Sequence, residues 1–247
     1  MKTYKMIISY DGTEYNGWQI QPNGRSIQET IQKAIKKVLQ ETIVIHGAGR
    51  TDAGVHAAGQ TAHFKTAKAL FAKTLLKSIN ALIPKDIRVI SLERVPSDFH
   101  ARYSAKEKIY LYKIHTKTIQ LPFERKYALH CTYPLDVTQI KSSLPYLLGR
   151  KNFLSFAHEA GFGAASKDPY RTLYDLSIDR SDEGFTLLFR GDGFLYKMVR
   201  NITGTLLEIG RGKIPPSALE KILAAQDRRK AKTTAPPHGL ILHKIIY

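Results

Sequence analysis

Thr42-Ile43-Val44-Ile45-His46 runs directly into Gly47-Ala48-Gly49-Arg50-Thr51-Asp52-Ala53-Gly54-Val55-His56-Ala57. The β-branched residues predict a strand over Thr42 to His46. Three glycines then predict a sharp turn against which a ligand can come close. A second strand is predicted over Gln60 to Lys65. Asp52 sits at the centre of this turn, beside Arg50 and Thr51. An aspartate in such a loop commonly serves only the turn, through bonds to its own backbone. Beside a guanidinium, on a loop a large substrate can reach, it is also fit to be a nucleophile or a base. A phosphate-cradling loop fits poorly, because no Gly-Lys-Ser/Thr follows.

Outward from this stretch, strands and helices alternate. Lys5 to Asp11 reads as a first strand, and Gln21 to Arg25 as a turn. Ser26 and Glu29 form a capping box for a helix with Ile27, Ile31, Ala34, Ile35, Val38 and Leu39 on one stripe. Leu70 to Leu82 suits a helix stopped by Pro84, and Asp86 to Val95 a strand stopped by Pro96. Lys108 to His115 reads as a strand, with Tyr110, Tyr112 and Ile114 on one face. Val137 to Leu148 is predicted helical despite Pro145. Arg171 to Asp179 and Gly184 to Arg190 form a hairpin through Ser181, Asp182 and Glu183. Tyr196 to Gly210 is a helix ended by glycine. Ser217 and Glu220 make a second capping box for a helix to Ala225, and Leu240 to Ile246 is a closing strand. Neither half has the one-to-one alternation of a parallel sheet. The pattern predicts an α+β fold with antiparallel or mixed sheets and helices on one side. Residues 96 to 107 separate an N-terminal half, 1–100, from a C-terminal half, 101–247.

Across the 247 residues, 38 Lys and Arg stand against 21 Asp and Glu, a formal net charge of +17. Such an excess points to a polyanion, and nucleic acid is the usual one. The single cysteine, Cys131, excludes an intramolecular disulfide and a cysteine zinc cage. The nine histidines show no ligand spacing with acidic partners, so no metal is expected. No signal-peptide core and no membrane-length apolar run occurs, and a cytoplasmic protein is expected.

Four further segments can carry chemistry. In Phe194 to Gly204, Met198 and Ile202 mark a buried stripe from which Arg200 departs. Arg200 is either a solvated arginine or a partner that keeps a carboxylate ionised. Phe99-His100-Ala101-Arg102-Tyr103-Ser104-Ala105 precedes the Tyr110 strand, and an exposed ring in a basic protein is a platform for a base. Tyr10 to Gln21, including Trp18 and Gln19, is a glycine-containing turn or the lining of a substrate groove. Arg228-Arg229-Lys230-Ala231-Lys232 is a solvated face or a set of phosphate contacts.

Together these segments resemble the TruA family of tRNA pseudouridine synthases. The matching pieces are Tyr10 to Gln21, Gly47 to Ala57 with Gln60, Phe99 to Ala105 with Tyr110, Met198 to Asn201 with Gly204, and Thr234 to Leu242. They span nearly the whole chain in family order. His158 to Asp168 carries no family signature, and its Gly161-Phe162-Gly163-Ala164-Ala165 run reads as a mobile loop.

The resemblance implies two similar α+β halves, their sheets joined side by side, with a basic cleft between them. It also implies a homodimer that binds the anticodon arm of tRNA. The implied reaction is isomerisation of uridine to pseudouridine at tRNA positions 38 to 40, without cofactor or metal. Carried over residue by residue, Asp52 is the catalytic carboxylate and Arg200 its ion-pair partner. Tyr110 stacks on the uracil, and Arg50 helps extrude the nucleotide. Gln19, Arg102 and His56 are further substrate-binding residues. A non-catalytic RNA-binding protein, or a synthase for another RNA, shares the charge and the aromatic residues. The trio Asp52, Arg200 and Tyr110 discriminates against the first of these.

Overall fold

The computed structural model describes residues 1–158 and 168–247, so the Gly161 to Ala165 run lies outside the described residues. The chain forms two compact units, Met1–Lys106 with Ile241–Tyr247, and Glu107–Leu240. Both are α+β. No helix among the described residues is long and apolar enough to cross a membrane.

In the first unit, β1 (Lys2–Tyr10) lies between β3 (His56–Thr66) and β4 (Ile87–Val95), antiparallel to both. The other edge of β3 carries two short partners. β2 (His46–Gly47) pairs antiparallel with Ala62 and His63, and β10 (Leu240–Ile246) pairs parallel at His56 and Ala57. The register of β1 on β3 slips between Ile8 and Tyr10, opposite Gln60 and Ala57. Such a bulge re-aims the strand at its entry from the Asp52 turn.

Ser26 is the N-cap: its hydroxyl accepts the Glu29 amide at 3.3 Å and opens α1 (Ile27–Leu39), while the Glu29 carboxylate turns to Lys33 at 2.6 Å. Ile27, Ile31, Ala34 and Ile35 are buried as the stripe predicts. The strand expected over Thr42 to His46 does not form before His46. Ile43 and Ile45 are buried, but α1 takes over the ladder's part. Ile45 donates its amide to Gln32 Oε1 at 2.9 Å and accepts Gln28 Nε2 on its carbonyl at 2.7 Å. With those groups satisfied by glutamines, extended backbone needs no partner strand. Leu75 and Ile79 seat α2 (Ala72–Leu82).

Three histidine rings gather in this unit. His63 stacks on His46 at 5.2 Å between centroids and meets His100 edge-on at 4.6 Å. His63 Nδ1 accepts the Ala101 amide at 3.1 Å. Burial, reinforced by the neighbouring His100 and His46, pushes the His63 imidazole down to about 4.

In the second unit the strand order is β5 (Glu107–His115), β9 (Gly184–Gly191), β8 (Tyr170–Ser181), β7 (Gly149–Asn152), all antiparallel. β6 (Leu129–His130) joins β5 in parallel. Along β5, Tyr110, Tyr112 and Ile114 are buried, as the alternation requires. The hairpin turn is only Asp182 and Glu183, since Ser181 already pairs with Gly184. Pro145 sits in a tighter final turn, Leu144–Leu147, that follows α3 (Val137–Ser143). α4 (Met198–Gly210) starts later than expected, after Lys197 at φ +58°, and eleven of its residues are buried rather than one stripe. Its buried Thr203 and Thr205 hydroxyls donate to the carbonyls of Val199 and Asn201, four residues back, at 2.9 Å. The second capping box fails: Ser217 is itself helical and its side chain caps nothing at the start of α5 (Ala218–Ala225).

The His63 shift has a sign. The folded state disfavours the imidazolium, so the contribution is complete above about 6.5 and is lost as pH falls through about 4. His63→Asn, which can still accept the Ala101 amide, should lose stability less steeply over that range in urea denaturation. In the second unit, a Cβ at Gly204 would lie 1.7 Å from the Thr233 carbonyl oxygen. Gly204→Ala should cost roughly 3 kcal/mol, measured in the same way.

Candidate active site

The Asp52 turn is held by its own backbone first. The Val55 amide donates to the Asp52 carbonyl at 3.1 Å, closing a turn over Ala53 and Gly54. Gly54 has φ +75° at the third position, where a type II turn needs it.

The Tyr10 to Gln21 segment then clamps the turn from outside. Trp18 donates its amide to the Thr51 carbonyl at 3.1 Å, and Gly54 donates to the Tyr15 carbonyl at 3.2 Å. A Cβ on Gly17 would stand 2.3 Å from Thr51 O, and one on Gly12 would stand 2.0 Å from Val55 O. Gly47 faces the Trp18 indole, whose Nε1 would be 2.5 Å from its Cβ. Main chain therefore lies on main chain, and Trp18, 1% exposed, is a packing residue beneath the turn.

Side chains complete the brace. Tyr10 and Thr51 share a buried hydrogen bond of 2.8 Å. Burial pushes the Tyr10 phenol far above its usual range, so it stays neutral. Gln60, fully buried, donates Nε2 to the Gly49 carbonyl at 2.8 Å. His56 is also buried, and its Nδ1 accepts the Gly12 amide at 3.0 Å. Nδ1 also lies 3.2 Å from Asp11 Oδ1. The Gly12 bond requires a lone pair on that nitrogen, and Asp11 Oδ1 already accepts from Thr13 at 2.5 and 3.0 Å. Asp52 itself is half-buried, while Arg50 and Gln19 are exposed. The arrangement presents a carboxylate on a stiff loop with a solvated arginine two residues away. That suits attack on, or proton removal from, a group delivered from solvent.

Arg102 is exposed on the same unit, its guanidinium 5.8 Å from the ring centre of the exposed Tyr103. Tyr103 also lies 4.3 Å from the His100 ring. These groups form an aromatic and cationic surface separate from the brace of the turn.

Tyr110 and Arg200 belong to the second unit. Tyr110 is 8% exposed, with Phe194 edge-on at 5.1 Å. Arg200 is half-buried, and its Nε donates to the Ala235 carbonyl at 2.8 Å. Ala235 returns its amide to the Arg200 carbonyl at 3.0 Å. The arginine is therefore anchored to the Thr234 to Leu242 segment and is not a freely solvated side chain. Asn201 gathers the same region. It donates to the Phe156 carbonyl at 2.7 Å and accepts from Thr234 Oγ1 at 2.6 Å and Arg228 Nη2 at 3.0 Å. Tyr112 donates to the Pro236 carbonyl at 2.9 Å, above Gly239, whose Cβ would strike its ring at 2.8 Å.

The basic run divides. Arg228 is tied to Asn201 and Thr234, and Arg229 pairs with Asp227 at 2.8 Å. Tyr10, Thr51, Asn201 and Tyr112 fall in segments singled out in the sequence, but no individual role was assigned to them there.

A profile of tRNA pseudouridine synthases matches residues 6–104 and 144–247. Tyr110 falls between the two matched stretches. tRNA pseudouridine synthase A 1 of Protochlamydia amoebophila (strain UWE25) is 47% identical over 248 residues, covering 100% of this chain and 97% of that protein. tRNA pseudouridine synthase A of Thermoanaerobacter sp. (strain X514) is 44% identical, with both chains covered completely. That of Chlamydia trachomatis serovar A is 42% identical, covering 100% of this chain and 92% of the relative. With the family profile spread over both units and such relatives along the full length, the chain belongs to the tRNA pseudouridine synthase family.

Proposed function

We propose that this chain isomerises uridines 38 to 40 in the anticodon stem-loop of tRNA, with Asp52 as the catalytic carboxylate. The observation that carries the reading is the brace. In a member of this family, a half-buried aspartate is fixed by main-chain contacts from Gly12, Tyr15 and Trp18. A turn built only to connect two strands has no need of that support.

The reaction breaks N1–C1′, turns the uracil, and joins C5 to C1′. The C5 proton then passes to solvent and the freed N1 takes a proton up, so atoms balance without redox chemistry. Asp52 either attacks the ribose or removes a sugar proton, and both begin from the anion. In this reading Arg200, held by Ala235, pairs with that anion. Tyr110, stiffened by Phe194, stacks on the uracil. The target base lies in a stem, so it must be flipped at a cost of a few kcal/mol. Arg50, exposed beside the turn, helps drive the nucleotide out, and Gln19 and Arg102 contact the RNA. His56 is buried against Gly12, so its part is to hold the turn in place. The enzyme works as a cytoplasmic homodimer, and its excess positive charge draws in the tRNA.

Asp52→Asn should abolish tritium release from 5-tritiated uridine in tRNA. The affinity for tRNA should change by less than about tenfold, or 1.4 kcal/mol. Retained turnover in that variant would remove Asp52 from the mechanism. Mapping pseudouridine in cellular RNA after gene deletion checks positions 38 to 40 separately. Binding should also be strongly salt-dependent. About six phosphate contacts predict a loss on the order of a thousandfold between 50 and 200 mM salt, measured by filter binding.

A further inference from the structure

Three ligand-bearing side chains of the second unit converge at one end of β5. They are His115, the last residue of β5, Glu124, in the excursion leading to β6, and Glu183, in the β8–β9 turn. His115 Nδ1 lies 3.1 Å from Glu124 Oε2 and 3.8 Å from Glu183 Oε2, and all three atoms lie within 4.8 Å of one another.

The histidine's protonation follows from its other nitrogen. Nε2 is 2.9 Å from the Ile119 carbonyl, which can only accept, so Nε2 carries the hydrogen. In the neutral ring Nδ1 is then a lone pair facing two carboxylates. His115 is 1% exposed, and neither its Nδ1 nor Glu124 Oε2 has a hydrogen-bond partner among the described residues. Three electron-pair donors, two of them anionic, thus point at one spot. Lys117, 3.5 Å from the far oxygen of Glu183, offsets only one of the two negative charges.

A cation resolves this. Ligands about 2.1 Å from a tetrahedral centre sit about 3.4 Å from one another, which the 3.1 and 3.8 Å spacings bracket. An imidazole with its second nitrogen fixed on a backbone carbonyl is the arrangement found behind metal-bound histidines. One nitrogen and two oxygen donors suit a borderline ion such as Zn²⁺ better than Mg²⁺.

We propose that His115, Glu124 and Glu183 bind one divalent transition-metal ion. The side chains of the two glutamates are 40% and 46% exposed, so the ion reaches the site from solvent and keeps water in its remaining position. The site is a clamp. His115 ends β5, and the excursion returns as β6 beside the same strand, with the Cys131 amide on the His115 carbonyl at 2.8 Å. Glu183 brings in the hairpin turn, whose carbonyl already takes the Thr116 amide at 2.9 Å. A bound ion would fasten residues 116 to 131 to that turn. His115 and Glu124 also fall in the stretch that the family profile leaves unmatched.

The full chain, stripped with EDTA and dialysed, is titrated with Zn²⁺ or Mg²⁺ and followed by calorimetry and thermal denaturation. The expected result is about one Zn²⁺ per chain and a raised melting temperature. Glu124→Gln with Glu183→Gln should weaken Zn²⁺ at least tenfold while melting like the parent in EDTA. Should the double variant fold poorly, Glu183→Gln alone, changed at a half-exposed turn, should show the same weakening. Absence of stoichiometric Zn²⁺ binding, unchanged binding in the variants, or Mg²⁺ binding as tight as Zn²⁺ would overturn the proposal.

Discussion

The first unit depends on main chain lying directly against main chain where Gly12 and Gly17 cross the Asp52 turn. At those two points a single methyl group would fall within 2.3 Å of a carbonyl oxygen. Overlap of that size cannot be relieved by side-chain rotation, because both parties are backbone. The Trp18 and Gly54 amides then find their acceptors across the crossing. Trp18 fills the space below, and Gly47 yields to its indole. The second unit uses the same device: Gly204 of α4 lets the Thr233 backbone rest on the helix, and Gly239 fits under Tyr112.

Periodicity made most elements legible. The stripe on α1, the alternation on β5 and the β8–β9 hairpin are local patterns, and the chain obeys them. Where the reading fails, a distant group has intervened. Thr42 to Ile45 looks like a strand because its residues are β-branched. Gln28 and Gln32, more than ten positions away, take both backbone groups of Ile45 in place of a ladder. Ser217 carries the letters of a capping box, but after Pro215 and Pro216 it is already helical, so its hydroxyl has no cap to make. On α4 the sequence marks one buried stripe through Met198 and Ile202, yet Thr203 and Thr205 are buried too. Bonded to carbonyls one turn back, they bury as readily as apolar residues.

The turn carrying Asp52 was visible in its glycines, but its supports were not. Tyr10, Thr51 and Gln60 lie in segments that resemble the family, but their hydrogen bonds depend on the pairing of β1 with β3. Charge was legible only as a total. Arg190 holds Glu107 through bonds of 2.6 and 3.0 Å and keeps that carboxyl below its usual range. Arg228 and Arg229 are likewise engaged within the protein. The ion-paired arginines are already cancelled in the net charge by their carboxylates, so the field an RNA meets depends on where the remaining lysines and arginines stand, which a sequence sum does not give.

The parallel pairing of Ile241 and Leu242 with His56 and Ala57 orders events in time. The first unit's sheet draws on residues that leave the ribosome only after the whole of Glu107–Leu240 has been made. During synthesis, the edge of β3 just beyond the Asp52 turn stays open while more than a hundred residues emerge. A nascent chain cannot finish the first unit before the second has been made. The edge of β3 that follows the Asp52 turn is therefore completed only once both units have been synthesised.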